Sequence, residues 1–146
     1  MMDLESAMQI SASGLKANRT WINVLSSNLA NANTTKTADG TPYQRKTVIY
    51  ESTPVDSFAG ELSSAMGEGA EKVNVSEIVS DGRDFKQLYD PGNPDADEKG
   101  IVLTPNINPV EEMASIMNAS RSYEANLAAL QTAKQLAMKS IDIGAK

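Results

Sequence analysis

The strongest constraint on this chain is a pair of long amphipathic segments, one at each end, with little sequence between them able to cover both. In residues 4–31, Leu4, Met8, Ser11, Leu15, Asn18, Ile22, Leu25 and Leu29 recur at alternating steps of four and three. That spacing predicts a helix with an a/d seam and two polar interruptions. A second stripe of Ala7, Ile10, Gly14, Ala17, Trp21 and Val24 runs beside it. Asp3 and Glu5 stand where a helix dipole favours negative charge, and the first Pro is Pro42. Residues 110–143 repeat the arrangement. Met113, Ile116, Ser120, Tyr123, Leu127, Leu130, Lys134, Ala137 and Ile141 form a seam, with Ala114, Met117 and Ala128 beside it. Asn108 suits the N-cap, Pro109 the first turn and Gly144 the stop.

Helices of these lengths would extend about 42 Å and about 51 Å. A compact domain of this size is only about 40 Å across. The helices can pair through one stripe each. The second stripes, with Ile10, Trp21, Val24 and Met117, are then expected to face solvent, where long apolar surface marks an interaction site. Covering both stripes within one chain takes a bundle of three or four helices, and this sequence offers two.

The intervening residues read as short strands and loops. The first helix should end in 28–34, where Asn28, Asn31 and Asn33 favour turns. A turn follows at Ala38-Asp-Gly-Thr-Pro42. Residues 43–51, 73–80 and 84–89 are strand candidates. Asp81-Gly82 reads as a hairpin turn joining the last two. Residues 52–72 lack a period and read as a loop with freedom to move; 90–100 form a polar loop before a short strand at 101–103. The fold class is therefore mainly α with a small β part. Residues 1–33 and 109–146 are expected to form an inner domain as an elongated coiled coil, and 34–108 an outer region.

Charge follows the same division. Residues 36–100 carry 13 acidic and 7 basic side chains, which accounts for the whole net charge of −6. Neutral ends can crowd together, whereas an acidic middle stays solvated. No basic face suits nucleic acid. The chain has no Cys and no His, which removes thiolate and imidazole nucleophiles, bases and metal ligands. No apolar run approaches the roughly 20 residues of a membrane span, and the N-terminus lacks the basic and apolar regions of a cleaved signal peptide. The expectation is a non-enzyme without cofactor or metal.

Two motifs carry a resemblance. Ser27-Asn-Leu-Ala-Asn-Ala-Asn-Thr34 resembles the N-terminal signature of flagellar axial proteins. Asn106-Ile-Asn-Pro-Val-Glu-Glu-Met113, followed by Ser120-Arg-Ser-Tyr-Glu-Ala-Asn126, resembles their C-terminal motif. Asp39-Gly-Thr-Pro-Tyr-Gln-Arg-Lys46 and the acidic run from Tyr89 to Gly100 are similar to the short, proximal-rod members of the flagellar basal-body rod family. The resemblance implies export unfolded through the flagellar type III apparatus and assembly around its channel through the terminal helices. It implies as partners copies of itself, other rod subunits and the adaptor joining rod to membrane ring. The residues expected at assembly interfaces are Leu4, Met8, Leu15, Trp21, Ile22, Leu25, Asn28, Leu29, Asn31 and Asn33 at one end. At the other they are Met113, Ile116, Met117, Arg121, Tyr123, Asn126, Leu127, Leu130 and Ile141. A secreted adaptor binding one partner through its helices is the alternative.

Individual motifs have plainer readings. Asn28, Asn31 and Asn33 either end a helix or bond backbone in a neighbouring chain, fixing where the helix gives way to the outer region. Read as an EF-hand from Asn93, the acidic loop has Glu98 where Gly belongs and Thr104 where Glu belongs. Adjacent Glu111 and Glu112 suit a helix start by dipole and capping rather than a catalytic pair. Arg121 can pair with Glu124 along the helix or reach another subunit.

Overall fold

The computed structural model describes residues 4–55 and 70–144. Helix α1 spans Leu4–Ala30 and helix α2 spans Pro109–Gly144. Between them lie β1 (Lys46–Pro54), β2 (Glu71–Ser80), β3 (Lys86–Tyr89) and β4 (Ile101–Thr104). The architecture is thus mainly helical with a small β part. The chain divides into two compact units. The first comprises residues 1–20, 49–77 and 119–146; the second comprises 21–48 and 78–118.

Local chemistry sets the helix ends. The Asn108 Oδ1 accepts from the Val110 N–H at 3.2 Å, and its Nδ2 donates to Glu111 Oε1 at 2.9 Å. This is N-capping, with an acidic residue in the first turn. At the end of α1, the Asn31 N–H and Nδ2 both donate to the Ser27 carbonyl, at 3.1 and 2.8 Å. The chain then turns at Gly40, whose φ of 78° suits a residue without Cβ.

In the second unit, Val24, Leu25, Val48, Val102 and Ile107 form the buried core, joined by Asn28, Asn106 and Glu112. Strands β3 and β4 pair antiparallel, with Leu88 opposite Val102 and Tyr89 opposite Ile101. Their connection closes through Gly100 (φ 75°), where a Cβ would stand 3.0 Å from the Tyr89 ring. In the first unit, the buried apolar residues are Ala17, Val55, Ala119 and Ala133. Gly14 lets α1 approach α2 closely: a Cβ there would lie 2.9 Å from Asn126 Nδ2.

Three expectations need correction. The Asp81-Gly82 hairpin does not form, because β2 pairs with β1 and β3 with β4. A tight two-residue hairpin turn needs positive φ. Among the described residues only Gly40 and Gly100 have it, and Asp81 instead bonds Arg83 and Arg45. The expected loop at 52–72 gives its first three residues to β1 and its last two to β2; residues 56–69 lie outside the described part.

The third correction concerns the helix stripes. On α2 the covered face is Glu112, Ile116, Ala119, Tyr123, Asn126, Leu130, Ala133 and Ala137, while Met113, Leu127, Lys134 and Ile141 are exposed. Ile116, Tyr123, Leu130 and Ala137 lie on the seam as expected, whereas its other positions move back by one residue, to Glu112, Ala119, Asn126 and Ala133. Small side chains at 119 and 133 permit a close approach that Leu127 or Met113 would block. On α1 the stripe expected in solvent is covered: Ala17 and Val24 are buried, Ile10 and Trp21 half-buried.

Candidate functional site

Two features stand out: a buried polar cluster in the second unit and an apolar stripe on the outer face of α2. The cluster centres on Asn28, which is 0% exposed. Its amide is fully matched. Nδ2 donates to the Lys46 carbonyl at 2.8 Å and to Glu112 Oε2 at 3.2 Å. Oδ1 accepts from the Lys46 N–H at 2.9 Å and from the Tyr43 hydroxyl at 3.1 Å. Two donors and two lone pairs are the whole capacity of an amide. Asn28 therefore serves as one more strand partner for Lys46, tying the last turn of α1 to the start of β1.

Glu112 is 2% exposed. Its other oxygen accepts from Arg45 Nε at 2.6 Å. A buried carboxylate is tolerable only when paired and hydrogen-bonded in this way. Around Arg45, its N–H donates to Asn106 Oδ1 at 3.4 Å, and the Asn106 Nδ2 donates to the Arg83 carbonyl at 3.3 Å. The Asp81 carboxyl is held below the usual aspartate range. The cause is chiefly its hydrogen bond from the Arg83 guanidinium, with Arg45 adding attraction at 3.7 Å.

The outer face of α2 contrasts with this. Met113, Met117, Leu127, Met138 and Ile141 are all exposed, Met117 by 58% and Ile141 by 70%. Their spacing places them on one side of the helix, over about 42 Å of its length. Arg121 lies beside them, exposed and without an ion pair to Glu124.

The expected interface residues therefore separate into groups. Met113, Met117, Arg121, Leu127 and Ile141 are open to contact, as is Asn33. Met8, Leu15, Trp21, Ile22, Leu29, Ile116, Tyr123, Asn126 and Leu130 are half-buried. The side chain of Leu4 lies outside the described part. Leu25 and Asn28 are buried within their own chain, and Asn31 caps α1. The expected bond from Asn28 to a neighbouring chain is corrected: all its partners are internal. The sequence reading missed Arg45 and Asn106 and gave Glu112 only a capping role. One signal was available, because Glu112 keeps heptad step with Ala119, Asn126 and Ala133.

Among the described residues, no group of three or more acidic side chains is placed to hold a metal ion, and no helix is long and apolar enough to cross a membrane. The surface on offer is a helix face rather than a reactive pocket, as in proteins that join other chains through helices. Residues 98–143 match the family described as flagellar basal body rod FlgEFG protein C-terminal, and residues 8–36 match flagella basal body rod protein. The chain is 41% identical to the flagellar basal-body rod protein FlgC of Bacillus subtilis, over 94% of this chain and 96% of the relative. It is 43% identical to FlgC of Aquifex aeolicus, over 93% of each, and 37% identical to FlgC of Escherichia coli, over 98% and 99%. The chain belongs to the flagellar basal-body rod protein family.

Proposed function

We propose that this chain is a structural, non-catalytic subunit of the proximal rod of the flagellar basal body. It is exported from the cytoplasm and assembles in the periplasmic space. Its terminal helices polymerise around the export channel as part of the shaft that transmits torque. Neighbours are copies of itself, other rod subunits and the adaptor joining rod to membrane ring; the type III export apparatus handles it in transit. The observation that carries this reading is the outward apolar stripe of α2, which includes Met113, Met117, Leu127 and Ile141. Full-length similarity to FlgC supports the same place.

A tagged copy in a strain lacking its own should appear at basal bodies, in several copies that resist washing, and restore swimming. Leu127→Asp should be expressed and exported yet fail to incorporate. Finding the tagged chain bound instead as a single copy to a soluble partner would replace the rod with an adaptor role.

A further inference from the structure

All the sulfur in this chain is thioether: there are seven Met and no Cys. Peroxides, which react readily with a thiolate, therefore meet only methionine sulfur here. The methionines are not placed alike. Met8, on α1, is half-buried. Met113, Met117 and Met138 lie on the outer face of α2, exposed by 49%, 58% and 57%. Met113 and Met117 stand one turn apart, and Met138 returns to the same face three heptads beyond Met117. With Leu127 and Ile141 they make up the exposed stripe. Three of its five apolar side chains can thus be oxidised, and susceptibility follows exposure.

We propose that Met113, Met117 and Met138 are sites of sulfoxidation by hydrogen peroxide, and that oxidation of this face and its burial against another chain exclude one another. The second half rests on the rod reading, in which the α2 stripe is covered on assembly. In the chemical step a sulfur lone pair attacks one peroxide oxygen. An S–O bond forms as the O–O bond breaks. Sulfur gives up two electrons, and the displaced hydroxide leaves as water with the proton of the transferred hydroxyl. The product carries a strong acceptor where the thioether had none, on a side chain that is now polar. In the free chain water satisfies that acceptor. When the stripe is covered the water is lost and an apolar neighbour supplies no donor in its place. In the other direction, a sulfur already covered is out of reach of the oxidant. The stripe therefore sorts chains by oxidation state before they are buried.

Footprinting tests the first half. The purified full-length chain and isolated basal bodies are treated with graded hydrogen peroxide, and sulfoxide is read at each methionine by peptide mass spectrometry. In the free chain Met113, Met117 and Met138 should oxidise about threefold or more faster than Met8. In basal bodies the same three should slow about tenfold or more. Replacement tests the consequence, with occupancy of the tagged chain per basal body as the readout. A triple Leu variant at 113, 117 and 138 keeps the face apolar without sulfur; a triple Gln variant puts a polar amide at each place. The Leu variant should match wild type, and under a peroxide pulse during rod assembly it should keep the occupancy that wild type loses. The Gln variant should lose about tenfold or more without peroxide, one unmatched polar group being enough for that. Circular dichroism checks its folding; should it misfold, the pulsed comparison of wild type with the Leu variant decides alone. Equal rates at Met8 and the three sites would overturn the proposal, as would rates unchanged in basal bodies. So would full occupancy of a folded Gln variant, or equal loss of wild type and Leu variant under peroxide. Absence of the untreated wild type from basal bodies would instead sink the rod reading itself.

Discussion

Replacing Asn28 by Asp is the most informative perturbation of the polar cluster, because the two side chains have the same shape. In the wild type, Nδ2 lies 3.2 Å from Glu112 Oε2 and 2.8 Å from the Lys46 carbonyl. In Asn28→Asp an acceptor faces both. Two unit charges at that separation repel by about 5 kcal/mol at an effective dielectric of about 20. The protein can escape part of this by binding a proton. For an ordinary Asp with a pKa of about 3.9, that costs about 4 kcal/mol at pH 7. Four is thus the ceiling on the repulsion, and the Arg45 guanidinium on Glu112 offsets part of it. The expected loss at pH 7 is about 3 kcal/mol, a large share of the 5–15 typical of a domain. The introduced carboxyl has a folded pKa raised above its unfolded value. Its penalty is therefore small below the unfolded value and grows as pH rises toward the folded one. Near pH 4 the variant should lose only about 1 kcal/mol, from one missing donor. Urea unfolding followed by the fluorescence of Trp21, the single tryptophan, measures both deficits. A variant as stable as wild type at pH 7, or with the same deficit at pH 4 and pH 7, would refute the assigned contacts.

Leu25→Ala, at a fully buried position, should cost about 2–5 kcal/mol in the same assay. Leu127→Asp, on the exposed stripe, should stay within about 0.5 kcal/mol of wild type while eliminating swimming. Gly100→Ala meets both a positive φ and the Tyr89 ring, so it should destabilise by about 1–2 kcal/mol, visible as faster hydrogen exchange across β3 and β4. Asp81 has a lowered folded pKa. Its contribution is present above the ordinary aspartate range and is lost as pH falls through the folded value. Asp81→Asn should therefore flatten the acid limb of the stability curve, and salt should do so in part.

Local rules made much of the fold legible. Both helices, the Asn108 cap and the Gly40 turn follow from spacing and single-residue preferences, and each sits within two or three residues of its expected place. Strand pairing was less accessible. Asp81-Gly82 has hairpin composition, yet Asp81 is held by Arg83 and by Arg45 on β1's approach, and Gly82 lacks the φ such a turn requires. The polar cluster was least accessible: Asn28 and Glu112 are 84 residues apart, and nothing in either neighbourhood names the other. Periodicity placed Ile116, Tyr123, Leu130 and Ala137 on the α2 seam correctly but misplaced the other half by one residue, because apolar weight at 113, 127 and 141 exceeds that at 112, 119, 126 and 133.

That misplacement explains why the cluster matters for assembly. Two seams compete on α2; they share Ile116, Tyr123, Leu130 and Ala137, and the other positions differ by one residue, so the faces are offset by about 50° of rotation. Turning the helix to bury Met113 and Leu127 would gain about 1.5–3 kcal/mol for each fully buried side chain. It would also pull Glu112 from Arg45 and Asn28, and breaking a buried pair costs about 3–5 kcal/mol. The two terms are close, so the ion pair decides which face turns outward. By holding a small-residue seam against α1, Glu112 leaves the larger apolar side chains for contact with other chains. Glu112→Leu should remove that preference. Met117 and Leu127 should then lose exposure, read as slower labelling of single cysteines placed at those positions, and incorporation into basal bodies should fall even where the helix content is unchanged. Unaltered labelling at both positions would mean that the α2 face is set by something other than the Glu112 cluster.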